Sequence, residues 1–302
     1  MLNKSKAIIK IGTRGSPLAL CQASQVRAKL QEGEIIKINT TGDNIIDKPL
    51  SSVGGKGLFT KELDQELLNH NIDIAVHSLK DVPTIMSEEF NIAFILPRGA
   101  PEDVLISNTQ AKNIISLPNN TILGTSSPRR YSQIKRIRPD ISIVPLRGNV
   151  ATRLDKVKNN KITATVLALA GITRLNINID YSILNYNECM PAASQGIIGI
   201  TYLKTNTKIE KQLNSYKNLI TEYQALGERA VLKVINGDCD SAVGVTSYIK
   251  NQTITISAKV FSTNGREMIK ASNSGPLKKS IDIGKSIGQI IIQKGGLKIL
   301  KS

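Results

Sequence analysis

The 302-residue sequence contains no tryptophan, only three cysteines and only two histidines. Cys21, Cys189 and Cys239 are widely separated and form no CxxC pair, so the sequence predicts neither a zinc site nor a disulfide framework. Low cysteine usage is typical of a reducing compartment. We therefore expect no metal ion in this protein.

Long apolar runs are also absent. The longest mostly apolar stretch, 165–172, is far shorter than the roughly 20 residues that span a bilayer. Residues 1–12 contain only a brief apolar run, too short for the core of a signal peptide, so we expect a cytoplasmic protein with no membrane span. Hydrophobic residues at 40% and charged residues at 21% are ordinary for globular chains of two or three domains.

The chain carries a formal net charge of +16, which indicates an acidic partner. Seven of the twelve arginines lie between Arg129 and Arg174, whereas the lysines are scattered and form no basic tail. Aromatic residues that could stack on bases make up only 4% of the chain. Because a guanidinium matches a carboxylate or phosphate in two-point contact, the cluster favours a small polyanion held in a cleft over nucleic acid.

Two stretches share one order of elements. A strand at 7–11 is followed by Gly12-Thr13 and by a helix that opens at Ser16-Pro17. A strand at 121–124 is followed in the same way by Gly124-Thr125 and a helix that opens at Ser127-Pro128. The pattern predicts two similar α/β domains with mostly parallel sheets.

The remaining periodic segments support this organisation and add a third unit. In the first two domains, strands are predicted at 34–39, 72–76, 91–96, 141–145 and 162–166, and helices at 60–70, 149–159 and 167–175. From residue 222 the pattern changes to a helix at 222–235, strands at 242–249, 253–262 and 267–273, and a final helix at 278–293. This order predicts a small α+β domain with an antiparallel sheet.

The two Ser-Pro turns are candidate anion sites, because unpaired N–H groups at a helix start attract negative charge. Arg14 stands beside the first turn, and Arg129 and Arg130 lie inside the second. A helix cap alone would explain either serine. Because arginines accompany both turns, the pattern favours an anion-binding cleft with one turn on each side.

Three further segments invite a functional interpretation. The glycine-rich run 51–61 lacks the order of a phosphate loop, so a flexible lid near Lys56 is the better prediction. Asp81 follows a predicted strand, at the sheet edge where ligands usually bind, although a turn aspartate before Pro83 is an equal alternative. Cys239 stands in a polar loop that suits a covalent role, although Asp238 and Asp240 would disfavour the thiolate.

These residues resemble the porphobilinogen deaminase, or hydroxymethylbilane synthase, family over nearly the whole chain. Six segments carry the resemblance in the order of the family: 11–20 (IGTRGSPLAL), 53–59 (VGGKGLF), 73–83 (DIAVHSLKDVP), 124–130 (GTSSPRR), 146–154 (LRGNVATRL) and 167–175 (LALAGITRL).

The resemblance implies a three-domain α/β fold. It comprises two related doubly wound domains, hinged like type II periplasmic binding proteins, and a small C-terminal α+β domain that carries the cofactor. The implied limits are 1–98 with 195–218 for domain 1, 103–191 for domain 2 and 222–302 for domain 3.

The resemblance also assigns roles to residues. It implies a dipyrromethane cofactor joined by a thioether to Cys239, with Asp81 as the catalytic carboxylate. The implied cofactor-binding residues are Lys80, Ser126, Ser127, Arg129, Arg130, Arg147 and Arg153. Arg14, Ser16, Arg153 and Arg174 would bind substrate, and Lys56 and Phe59 would belong to the lid.

The implied reaction joins four porphobilinogen molecules head to tail on the cofactor, in tetrapyrrole biosynthesis. Each addition releases ammonia, with Asp81 stabilising a cationic azafulvene, and water finally releases linear hydroxymethylbilane. A chain of six rings carries twelve carboxylates, which accounts for the positive charge. The resemblance further implies a monomer whose partner is porphobilinogen, with no nucleic acid and no membrane.

Some positions depart from the family pattern. Asp238 precedes the cysteine where the family usually has glycine, and Ser194 replaces the first glycine of a Gly-Gln-Gly hinge. The segment Pro101-Glu102-Asp103 lacks an arginine that is common there.

Two alternatives belong to other functional classes. A non-enzymatic small-anion binding protein with the periplasmic-binding-protein fold would share the first two domains, but it would not need the Cys239 loop. A nucleic-acid-binding protein is suggested by a pI of about 9.7 alone and would bind DNA with a steep dependence on salt.

Overall fold

The computed structural model describes residues 8–41, 57, 59–238 and 240–300. Lys56 and Cys239 lie outside these residues. The strands are β1 Lys10–Arg14, β2 Glu34–Ile38, β3 Ile74–Ser78, β4 Phe90–Ala93, β5 Asp103–Ser107, β6 Ile122–Gly124, β7 Ser142–Val144, β8 Ala164–Ala168, β9 Ser182–Ile183, β10 Ile198–Leu203, β11 Val243–Lys250, β12 Thr253–Phe261 and β13 Met268–Pro276. The α-helices are α1 Pro17–Leu30, α2 Lys61–Leu68, α3 Pro128–Ile137, α4 Val150–Lys158, α5 Leu169–Arg174, α6 Thr207–Ser215, α7 Leu219–Ile235, α8 Ser280–Gln293 and α9 Gly296–Ile299.

The first sheet has the strand order β2-β1-β3-β10-β4. Strand β1 pairs in parallel with β2 and β3, while β10 lies antiparallel between β3 and β4. Apolar residues of α1 and α6, including Val26 and Leu213, pack with Ile11, Ile74 and Ile200 of the strands. Strand β10 therefore returns to the first sheet after the chain has built a second one.

The second sheet repeats this arrangement, with the order β7-β6-β8-β5-β9. Strand β6 pairs in parallel with β7 and β8, and β5 lies antiparallel between β8 and β9. In each sheet the antiparallel strand is the one the chain forms directly after crossing from the other sheet. The repeated order confirms the two predicted related doubly wound α/β units.

The third sheet, β11-β12-β13, is antiparallel throughout. Helices α7 and α8 bury Val231, Ile287 and Ile291 against Val245 and Ile256 of this sheet. The predicted small α+β unit is therefore confirmed. The limits predicted for the three domains stay a prediction.

Several element limits differ from the sequence pattern for local reasons. Helix α7 begins at Leu219 rather than at 222, because the Asn218 side chain accepts a hydrogen bond from the Thr221 amide and caps the helix. Helix α5 begins only at Leu169, because β8 continues to Ala168, which pairs with Asp103. Strand β5 and helix α6 were not predicted. No helix among the described residues is long and apolar enough to cross a bilayer.

Candidate active site

Both Ser-Pro turns are helix caps in the structure. The Ser16 Oγ accepts a hydrogen bond from the Ala19 amide at 3.3 Å, and the Ser127 Oγ accepts one from the Arg130 amide at 3.5 Å. Pro17 and Pro128 occupy the first turns of α1 and α3. The two turns follow equivalent strands, β1 and β6, and each contributes to a cavity. Anion binding at these turns stays a prediction.

The larger of these two cavities has a volume of about 250 Å³. Its walls come from the segment after β3, the start of α3, and α7 with the loop that follows it. Residues 192–194 also contribute; they belong to the crossing segment, 192–197, which leads from the second sheet into β10. Asp238 and Asp240, the chain neighbours of Cys239, contribute to the wall. The predicted site residues that line this cavity are Phe59, Lys80, Asp81, Ser126, Ser127, Arg129 and Arg130.

A smaller cavity of about 70 Å³ adjoins it, because Asp81 and Phe59 contribute to both. Arg14 and Ser16 line this smaller cavity. The Arg14 guanidinium stacks on the Phe59 ring, 4.0 Å from its centroid. The structure thus places Asp81 between the residues predicted to bind substrate and those predicted to bind cofactor.

Sequence reasoning missed Asp103, which organises the arginine pair. This fully buried carboxylate lies 2.7 Å from the Arg129 Nη1 and 2.7 Å from the Arg130 Nη2. Burial alone would raise the pKa of Asp103, but the two guanidinium groups hold it well below its ordinary value. A charged residue at the start of the apolar run 104–106 was the sole sequence signal. Arg129 and Arg130 are therefore held in place by a buried ionic group before any ligand binds.

Gln195 extends this network to Lys80. The Gln195 Nε2 donates to the Asp103 Oδ1 at 2.9 Å, and the Lys80 Nζ donates to the Gln195 Oε1 at 3.4 Å. Burial lowers the pKa of Lys80 to about 8, although nearby Asp81 acts in the opposite direction. A lysine in this setting keeps its charge more easily when an anion enters the cavity.

Arg147 and Arg153 lie near the network of Asp103, Arg130 and Lys80 but line neither cavity. The Arg153 Nε donates to the Gly148 carbonyl at 2.9 Å. Burial lowers the pKa of Arg153 to about 10, and Arg130 adds to the effect while Asp81 opposes it. Arg147 lies within electrostatic range of both Arg153 and Asp240. The structure therefore brings together positive side chains from both doubly wound units around Asp81.

Arg174 lies apart from the other predicted site residues. Its Nη2 donates to the Gly196 carbonyl at 2.7 Å, and its own carbonyl accepts from the Cys21 Sγ at 3.1 Å. The side chain lines neither cavity. In this structure its guanidinium holds the crossing segment that enters β10.

One departure from the family pattern, Ser194, lies in the crossing segment. Ser194 has φ +65°, in the left-handed region where glycine is favoured. Its amide donates to the Glu228 Oε2 at 2.6 Å. Glu228 is completely buried and pairs with Arg98 at 2.5 Å. The sequence had drawn no attention to Arg98 or Glu228, which join the crossing segments to the third unit.

Within the described part of the chain, no group of three or more histidine, cysteine, aspartate or glutamate side chains is placed to hold a metal ion. Most polar side chains of the cavities carry cationic or hydroxyl groups, and the others are Gln22, His77, Asn236 and the carboxylates Asp81, Asp238 and Asp240. This composition suits an organic anion.

Comparisons with known proteins agree with the resemblance. A family model described as "Porphobilinogen deaminase, dipyromethane cofactor binding domain" matches residues 9–211, and one described as "Porphobilinogen deaminase, C-terminal domain" matches residues 223–293. The porphobilinogen deaminase of Syntrophobacter fumaroxidans is 39% identical over 301 residues, which cover 97% of each chain. The chloroplastic porphobilinogen deaminase of Oryza sativa subsp. japonica is 41% identical over 304 residues, 96% of this chain and 85% of the relative.

Among solved structures, the VFT2 domain of Bordetella pertussis BvgS aligns with a TM-score of 0.42 and 15% identity. That alignment covers 69% of this chain and 85% of the other. The two family models together span both doubly wound units and most of the third, and the relatives match nearly the whole length. The chain belongs to the porphobilinogen deaminase family.

Proposed function

We propose that this protein is a porphobilinogen deaminase, a transferase that joins four porphobilinogen molecules head to tail and releases ammonia and linear hydroxymethylbilane. One observation carries the proposal. Asp81 lies in a cavity that Lys80, Arg129 and Arg130 also line, and the two chain neighbours of Cys239 form part of the same wall.

The residues present fit a dipyrromethane cofactor. Its acetate and propionate groups need several cations and hydroxyl donors within one cavity. Lys80, Arg129 and Arg130 supply positive charge in the cavity wall, Arg153 adds charge close to it, and Ser126 and Ser127 supply hydroxyl groups. We propose that these residues hold the cofactor together with Arg147, and that the Cys239 thiol anchors it through a thioether. When bound, the cofactor supplies the free α-carbon that acts as the nucleophile.

Asp81 has the central chemical role in this proposal. A carboxylate between the two cavities can stabilise the positive charge that develops on porphobilinogen as ammonia leaves. Arg14 and Ser16, which line the smaller cavity with Asp81, would bind the substrate carboxylates. Phe59 would shield the site from water beside Arg14, and Lys56 is proposed to belong to the same lid.

Arg174 keeps its proposed role in substrate binding. Its contact with the crossing segment, through the Gly196 carbonyl, suits a role that changes when the two doubly wound units move apart or together. We further propose that the protein works as a cytoplasmic monomer. A non-enzymatic anion-binding protein would not need a cavity that joins the third unit to Asp81.

Intact-protein mass spectrometry tests the proposal. The purified protein should exceed its sequence mass by two porphobilinogen-derived units, and limited porphobilinogen should add a ladder of one to four further units. Cys239→Ser should remove both the increment and the activity. Cys21→Ser and Cys189→Ser are the matched controls. Full activity of Cys239→Ser would overturn the anchor, and an unmodified protein that never gains mass would overturn the proposed function.

A further inference from the structure

Arg229 of α7 holds the chain segment that follows Asp81. Its Nη1 donates to the Val82 carbonyl at 3.1 Å, and its Nη2 donates to the Pro83 and Thr84 carbonyls at 2.5 and 3.2 Å. Three consecutive carbonyls are thus bound by one guanidinium from another unit of the protein. Among the described residues no carboxylate forms an ion pair with Arg229.

A second contact joins the same segment to the loop that contains Cys239. The Thr84 Oγ1 donates to the Gly237 carbonyl at 3.1 Å. Thr84 lies three positions after Asp81, and Gly237 lies two positions before Cys239. Arg229, Thr84, Asp81 and Gly237 all line the larger cavity.

Both contacts fix the position of the segment 82–84 relative to α7 and the loop that follows it. Helix α7 ends at Ile235, immediately before the Cys239 loop, so Arg229 links the segment 82–84 to the helix that carries this loop. The Thr84 hydroxyl links the segment to the loop itself. These contacts therefore link the segment that follows Asp81 to the loop, even though the two belong to different units of the fold.

We propose that Arg229 is a positioning residue for the deaminase reaction, which sets the location of Asp81 relative to the Cys239 loop through the carbonyls of residues 82–84. This inference rests on the proposed function. The N–H groups of Arg229 that bind backbone carbonyls are not available to bind substrate. Loss of this side chain should therefore lower turnover and leave the affinity for substrate little changed. If Arg229 bound the substrate carboxylates directly, its loss would instead raise KM and leave kcat little changed.

The test compares Arg229→Gln with Arg138→Gln in cofactor-loaded protein. Arg138 is the control, because its guanidinium also binds two carbonyls, those of Ile115 and Leu117, and pairs with Asp140, but lines neither cavity. In Arg229→Gln we expect kcat to fall by about ten- to a hundredfold, as for loss of hydrogen bonds from a charged group, with KM for porphobilinogen little changed. Amide hydrogen exchange over 82–86 should become faster in Arg229→Gln and stay unchanged in Arg138→Gln.

Thr84→Val provides a second variant, which removes the hydroxyl contact and leaves the charge of Arg229 intact. It should lower kcat in the same direction, and the double variant should lose less than the product of the two single losses. If Arg229→Gln retains no cofactor, Thr84→Val and Arg229→Lys carry the same comparison of kcat with KM.

Two results would overturn the inference. One is a kcat in Arg229→Gln equal to that of Arg138→Gln. The other is a raised KM with unchanged kcat, which would make Arg229 a ligand of the substrate. Failure of the proposed function is distinguishable, because the unmodified protein would then show neither turnover nor the added mass.

Discussion

At the scale of single residues, two aspartates of the site differ in their surroundings. Asp81 lines both cavities, whereas Asp103 is completely buried between Arg129, Arg130 and Gln195. A carboxylate in contact with a cavity can act on a ligand, and one that is enclosed by protein groups acts on the protein. The two residues should therefore fail in different ways when they are changed.

Asp81→Asn should retain the fold and the cofactor but lose most turnover, because the amide cannot stabilise developing positive charge. Asp73→Asn is the control, since Asp73 lies just before the opposite end of β3 and accepts a hydrogen bond from the Lys10 amide. Steady-state rates on protein of verified mass provide the measurement. A near-normal rate in fully loaded Asp81→Asn would contradict the catalytic role.

Asp103→Asn should lower the free energy of unfolding by about 3 kcal/mol or more, because it leaves two buried guanidinium groups without their carboxylate. Urea unfolding measures this change, and the mass of the purified variant should show reduced cofactor loading. Asp140→Asn removes the partner of Arg138 at the surface and should change stability little. Equal stability of the two variants would show that Asp103 is not the anchor of the arginine pair.

At the scale of secondary structure elements, the antiparallel contact between β3 and β10 is the point where the returning chain meets the strand that precedes Asp81. His77 of β3 is buried, and its Nε2 lies 3.0 Å from the Thr201 Oγ1 of β10. Burial lowers the pKa of His77 from 6.5 to about 4, and Arg14 adds to the effect. Burial and the charge of Arg14 therefore keep this imidazole neutral near pH 7.

The depressed pKa predicts acid sensitivity. The unfolded chain binds a proton at His77 below pH 6.5, whereas the folded protein resists doing so until about pH 4. The contribution of His77 to stability is thus complete above pH 6.5 and lost as pH falls from there through about 4, a change of roughly 3 kcal/mol. Unfolding measured from pH 7 to pH 4 should be flatter in His77→Gln, whose amide does not titrate.

The other histidine, His70, provides the control for this experiment, because it is exposed and lies outside the two strands. His70→Gln should leave unchanged the fall in stability between pH 7 and pH 4. If stability falls between pH 7 and pH 4 by the same amount in His77→Gln as in the unmodified protein, the buried histidine is not the cause of the acid sensitivity.

At the scale of the whole molecule, the protein carries a formal net charge of +16, and its proposed substrate is a small dicarboxylate. Added salt screens charges at the cavity mouth more than the buried pairs within it. The KM for porphobilinogen should therefore rise as potassium chloride is raised to about 0.5 M, while kcat changes much less. Sucrose at equal osmolarity is the control, and a KM independent of salt would show that the surplus charge has no part in substrate capture.

Local patterns allowed much of the architecture to be predicted. The capped Ser-Pro helix starts depend on residues within a few positions of each other, and so do the change of pattern near residue 222 and the position of Asp81 after a strand. The family motifs are also local, so the catalytic assignments could be proposed before any contact was known. Such features depend on neighbouring residues and need no tertiary information.

The tertiary structure was needed wherever the partner is distant in sequence. Gln195 meets Asp103 across 92 positions, and Arg229 meets Val82 across 147. The antiparallel strands β5 and β10 enter their sheets only because the chain crosses twice between the units, and a short apolar run does not encode that destination. Propensity and spacing act over a few residues, while burial decides which charges face each other, so only the folded chain distinguishes the cavity aspartate from the enclosed one.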